Sequence, residues 1–91
     1  MTTRLSLADI TAVILGVATD FAARAAKPSD RIYADLNING YDVIDFVETL
    51  EKRYGVDLDW VSPHDANAQF YDASLLEIAE YIESLSDMNL S

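Results

Sequence analysis

Apolar residues recur at helical spacing in three stretches of this chain. In the first, Leu7, Ile10, Ile14, Val17 and Phe21 stand three or four residues apart, which predicts a helix of about five turns with one buried face. Ser6 sits where a helix cap belongs, and Asp9 three residues on suits the positive end of the helix dipole. Lys27-Pro28-Ser29-Asp30 is expected to end this helix, because the residue before a proline is driven away from helical angles. Gly16 inside it costs about 1 kcal/mol against Ala. It marks either a close helix crossing or an ordinary tolerated glycine.

A connection then runs from Arg31 to Asn39, with Ile32, Tyr33, Leu36 and Ile38 as apolar anchors. A long loop with its own anchors is expected to be structured and to lie on the core. The second helix is predicted to start near Asn39-Gly40, both acceptable cap residues. Val43, Phe46, Val47, Leu50 and Tyr54 form its buried stripe, with Ile44 at the margin. Asp42, Asp45 and Glu48 follow at spacings of three on the opposite face. Such a line of like charges mildly destabilises a helix, so it is either used or merely solvates a face. Gly55 is a natural stop.

Val56 to Val61 alternates in character, but no second convincing strand exists to pair with it, so an extended loop is expected. Ser62-Pro63 is read as opening a short helix or turn through about Phe70. Ser74-Leu75-Leu76-Glu77 fits a capping box for the last helix. Leu75, Ile78, Ala79, Ile82 and Leu85 supply its apolar face, and the polar tail from Ser86 is expected to fray. The reading is all-α: a small bundle of three main helices and one short one, in a single domain whose core spans about residues 6–85.

Composition narrows the function. The chain has 91 residues, of which 51% are hydrophobic, too many for a disordered acidic tail. There is no cysteine, which excludes disulfides, thiolate metal sites and cysteine nucleophiles. The single histidine, His64, excludes a multi-histidine metal site within one chain. Acidic residues outnumber Lys and Arg by 16 to 6, for a net charge of -10. Nucleic acid would be repelled; a basic protein surface is the natural complement. Arg4 followed by the apolar run Ile10 to Ala18 has the look of a signal peptide, yet Asp9 and Asp20 bracket it, so it is read as a helix. The run is too short to span a bilayer. A cytoplasmic monomer is expected.

The stretch Asp35-Leu36-Asn37-Ile38-Asn39-Gly40-Tyr41-Asp42-Val43-Ile44-Asp45-Phe46, followed by Leu50-Glu51-Lys52-Arg53-Tyr54-Gly55-Val56-Asp57-Leu58, resembles the attachment segment and recognition helix of acyl carrier and peptidyl carrier proteins. The resemblance covers about Asp30 to Leu58 in detail. It implies a carrier fold and a context of fatty acid, lipid, polyketide or nonribosomal peptide biosynthesis, with 4'-phosphopantetheine carried on a serine. Where that family has Asp-Ser-Leu, this chain has Asn39-Gly40-Tyr41. Gly40 has no hydroxyl to attack coenzyme A, so the prosthetic group is not attachable there. Tyr41 has one, but on a long rigid arm. In this the chain is similar to a set of small bacterial acyl-carrier-like proteins that lack the attachment serine.

No catalytic residues are assigned. His64 has no companions marking a triad, and Asp42 with Asp45 on an exposed face lack the burial that sets the members of an acid/base pair apart. Asp57, Asp59 and Asp65 do not follow the spacing of a calcium-binding loop. Trp60, Tyr33, Phe70 and Tyr71 are expected in the core or at its margin. The leading expectation is a non-enzymatic interaction module. It would dock through Tyr41, Asp42, Asp45 and Glu48 on the basic surface of a biosynthetic or regulatory protein. The alternatives are a true acyl or aminoacyl carrier, and a small-ligand or lipid binder using a cleft between helices.

Overall fold

The computed structural model describes residues 6–22, 24–38, 40–61 and 71–90, with side chains as far as 85. It is all-helical, with α1 at Leu7–Ala22, α2 at Tyr41–Tyr54 and α3 at Leu75–Leu90. α1 packs on both α3 and α2. The expected short helix from Pro63 to Phe70 lies outside the described residues. No helix among the described residues is long and apolar enough to cross a membrane.

α1 begins as its sequence predicts. The Ser6 hydroxyl accepts the Asp9 N–H at 3.1 Å, and the Ser6 carbonyl accepts the Ile10 N–H at 3.0 Å. Ile10, Ile14 and Ala18 form the buried centre of its stripe, with Leu7, Val17 and Phe21 packed at the edge. The helix ends at Ala22, several residues before the proline that was expected to stop it. Propensity alone would carry the alanine-rich run onward. Side chains redirect the chain instead. The Thr19 hydroxyl accepts the Ala26 N–H at 3.1 Å, and Asp30 accepts the Lys27 N–H at 2.9 Å. Arg24 pairs with Asp30 at 3.5 Å. An alanine methyl added at exposed Gly16 would meet nothing within 4 Å, so this is a tolerated glycine and not a helix crossing.

The connection before α2 is ordered by its own anchors. Ile32, Leu36 and Ile38 are buried, whereas Tyr33 is only half-buried. Leu36 N–H donates to the Arg31 carbonyl at 3.1 Å and Ile38 N–H to the Ile32 carbonyl at 2.9 Å. Asn37 takes a φ of 56°, a left-handed conformation that asparagine tolerates better than most residues.

This connection also holds the start of α3. Ile32 N–H donates to the Ala73 carbonyl and Leu75 N–H to the Asp30 carbonyl, each at 3.0 Å, forming one antiparallel bridge between Arg31 and Ser74. Leu76 N–H donates to the Pro28 carbonyl at 2.9 Å. The capping box closes reciprocally: Glu77 N–H to the Ser74 hydroxyl and Ser74 N–H to Glu77 Oε1, both at 3.1 Å. Every first-turn N–H of α3 from Leu75 to Glu77 therefore has an acceptor, although a helix start leaves these groups without intrahelical partners. Leu75, Ile78, Ala79 and Ile82 are fully buried and Leu85 partly so. The helical backbone continues to Leu90, past Ser86 where fraying was expected; no Gly or Pro interrupts that stretch.

The three apolar faces and the anchors from the loops form one core. Phe46 of α2 lies at its centre, fully buried, with Phe21 of α1 edge-on at 6.0 Å and 77°. Leu58 and Val61 enter the same core from the segment after α2. That segment is irregular, as expected.

Two outcomes are expected. Gly16→Ala should stabilise the protein by about 0.5–1 kcal/mol, read as a raised melting temperature, because helix propensity improves with no steric conflict. Ser74→Ala should cost about 1 kcal/mol by removing the cap acceptor. A pH dependence follows from the same box. The Ser74 backbone N–H, and after it the Tyr71 and Ser74 hydroxyls, hold the Glu77 carboxyl below its ordinary value of 4.5. A lowered folded-state value stabilises above the unfolded value and is lost as pH falls through the folded one. Glu77→Gln should therefore be less stable than the parent at neutral pH, and the gap in melting temperature should close below about pH 4.5.

Candidate functional site

The predicted site residues lie on α2, and that helix is positioned by its two ends. Its stop is Gly55 in the left-handed conformation, φ 64° and ψ 37°, with its N–H on the Glu51 carbonyl at 2.8 Å. Its start is Gly40, at φ 61° and ψ -134° with no side-chain cap. That is close to the first inner position of a type II′ turn, which glycine adopts freely and L-residues resist. Gly40 is the cap residue that the sequence predicts, and it also turns the chain through a backbone state that needs glycine.

Between these ends the inward face is as predicted: Val43, Phe46, Val47 and Leu50 are buried, while Ile44 and Tyr54 are half-buried. The outward face carries the predicted site. Tyr41 is 85% exposed, and Asp42 and Asp45 are exposed. Glu48 is half-buried and already engaged with neighbours, so it is less available than the two aspartates. Helical geometry places Tyr41, Asp45, Glu48 and Lys52 along one outward line, with Asp42 further round. The acidic stretch therefore covers the first two turns, and exposed Lys52 and Arg53 close the last. Asp42 at the start and these cations at the end both suit the helix dipole, which offsets the like-charge penalty read from the sequence.

Position 40, where the resemblance would place an attachment serine, does not fit a phosphodiester-linked prosthetic group. Gly40 supplies no oxygen, and its φ of 61° opposes the serine that would supply one. Space is not the obstacle, since an added side-chain carbon there would meet nothing within 4 Å. Ser29 sits in a turn closed by the Asp30 N–H on the Lys27 carbonyl at 3.0 Å.

A second cluster joins the end of α2 to the loop after it. Glu51, Asp57 and Asp59 bring carboxylate oxygens within 4.8 Å of one another. The Glu51 Oε2 accepts the Leu58 N–H at 2.8 Å and Asp57 accepts the Asp59 N–H at 2.9 Å. These bonds fold the loop after Gly55 back over the last turn of α2, which accounts for the convergence. Inspection of local spacing missed Glu51, because it joins the two aspartates only after the Gly55 turn reverses the chain. His64 and Asp65 lie outside the described residues.

The aromatics divide. Tyr33 is half-buried, and its N–H donates to Asp72 Oδ1 at 2.7 Å. Burial, then the Asp72 charge, raises its hydroxyl pKa above the ordinary 10. Trp60 and Tyr71, expected in the core or at its edge, are 37% and 48% exposed. Leu58 and Val61 take the buried places of that loop instead. Phe70 lies outside the described residues. Comparison with protein-family models, with curated proteins and with solved structures returns no match.

Gly40→Ala and Gly40→Ser should each lose about 1–3 kcal/mol of stability, the range for a side chain held in a sparsely populated backbone state. The two losses should be nearly equal in denaturant titrations, because the cost lies in the backbone and not in the added group.

Proposed function

We propose that this protein is a non-enzymatic, acyl-carrier-like interaction module that docks through the first two turns of α2 on the basic surface of a biosynthetic or regulatory protein. The observation that carries the reading is the exposed Tyr41 ring beside the exposed carboxylates of Asp42 and Asp45. An exposed aromatic residue is the kind of side chain that interfaces use as an anchor, and carboxylates stand beside this one. The surrounding charge would steer a basic partner and set the register of docking. Half-buried Glu48 would act at the edge of the contact. The all-helical bundle and the residues of the 30–58 segment support the carrier-like part of the proposal. The bare Gly40 supports a role without 4'-phosphopantetheine.

Two measurements test it. A photo-crosslinking residue at position 41 should trap a protein partner in lysate of the source cell, while the same residue at exposed position Ala12 of α1 should not. Asp42→Lys with Asp45→Lys should abolish the adduct, and moderate salt should weaken it, since screening shortens the reach of exposed charges. An adduct indifferent to both changes would place docking elsewhere. Incubation with coenzyme A and a broad-specificity pantetheinyl transferase, followed by intact mass measurement, should leave the native chain unmodified. A phosphopantetheine adduct on the native chain would favour the carrier reading and overturn this one.

A further inference from the structure

The segment after α2 presents the chain's single tryptophan at the surface by construction. Leu58 and Val61, on either side of Trp60, are fully buried and hold the turn on the core. Leu58 N–H is held by Glu51 at 2.8 Å, Val61 N–H donates to the Leu58 carbonyl at 2.9 Å, and Tyr71 N–H donates to the Val61 carbonyl at 3.2 Å. Trp60 therefore stands on a braced turn with 37% of its surface in water. Its ring meets Tyr81 of α3 edge-on at 5.1 Å and 65°, and Tyr71 at 5.8 Å and 50°. The Tyr71 hydroxyl donates to Glu77 Oε2 at 3.0 Å. These rings form a small aromatic platform whose members lean on one another and leave indole surface open.

The charge around this platform is mostly negative. Asp57 and Asp59 are exposed on the same turn as Trp60, and Glu77 is bonded to Tyr71. Arg31 is close enough for its charge to act on Tyr71 and Glu77. Arg53 stacks on the Tyr54 ring at 6.0 Å. An indole face is the best aromatic partner for a cation, and flanking carboxylates attract the same sign of charge. A guanidinium adds planar stacking that an ammonium lacks.

We infer that the Trp60–Tyr71–Tyr81 platform is a second docking surface, which takes an arginine-bearing segment of a partner protein by stacking guanidinium on indole. It lies apart from the outward face of α2 in sequence and does not require docking there.

The sole tryptophan reports its own site. Titration with hexa-arginine should change Trp60 fluorescence saturably, and with a larger amplitude than hexa-lysine at equal charge. By calorimetry, Trp60→Ala should weaken hexa-arginine binding about two- to fivefold, the range for an exposed cation–π contact. Trp60→Leu should weaken it equally while keeping the parent's helical circular dichroism, which separates lost stacking from lost folding. Asp42→Asn with Asp45→Asn should leave the fluorescence response in place. Unaltered hexa-arginine affinity in Trp60→Ala, or a response that vanishes with the α2 aspartates, would overturn the inference while leaving the α2 proposal standing. A fluorescence change with neutral maltohexaose and none with hexa-arginine would assign the platform to sugar stacking and also overturn it.

Discussion

The fold depends on how the first turn of α3 is satisfied. A helix start is a row of bare N–H groups, and burying one without acceptors costs more than a typical packing contact returns. Here the acceptors come from two places. Ser74 and Glu77 close a box on themselves. Pro28 and Asp30, more than forty residues earlier, lend their carbonyls to Leu76 and Leu75. Because those carbonyls belong to the connection between α1 and α2, the same bonds fix where that connection lies, and so from which direction the chain enters α2. Tyr71 reaches the same Glu77 with its hydroxyl, which ties the aromatic platform to this junction as well.

Glycine does the complementary work at α2. Gly40 and Gly55 both have positive φ, and between them the helix carries a strict inward stripe. Neither glycine is needed for room, since an added methyl would meet nothing at either site. Each is needed for direction. The turn at Gly40 sends α2 off with Tyr41 in water. The turn at Gly55 brings Asp57 and Asp59 back beside Glu51, and braces the segment that carries Trp60. An acidic helix face and an exposed tryptophan thus share a cause in the two ends of one helix.

Much of this was legible in the residues. The buried stripes of α2 and α3, the caps at Ser6 and Ser74, the stop at Gly55 and the burial of Ile32, Leu36 and Ile38 follow from periodicity and local chemistry. Those are short-range effects, repeated often enough along the chain to agree with one another. The exposed positions of Asp42 and Asp45 were readable for the same reason, because the face opposite a buried stripe has nowhere to go but water. What misled was also local. Lys27-Pro28 looks like the end of α1, but Thr19 and Asp30 collect the backbone groups of 26 and 27 before the proline is reached. Trp60 reads as core or core margin, and it takes the margin, against Tyr81, because Leu58 and Val61 fill the two inward places of its turn.

The sequence by itself determined the class of structure, the inward faces of the helices and the sign of the surface. These depend on residue type and spacing within a few turns, which the chain carries wherever it goes. Only the tertiary structure decided which carbonyls would finish α3, that Glu51 would join Asp57 and Asp59, that Glu48 would be engaged while Asp42 and Asp45 stay open, and that Gly40 would need its own backbone state. Each of those depends on where a distant segment passes or on the angle at which a chain must turn to meet it. Such relations are set by packing the whole core at once, and no local window contains them.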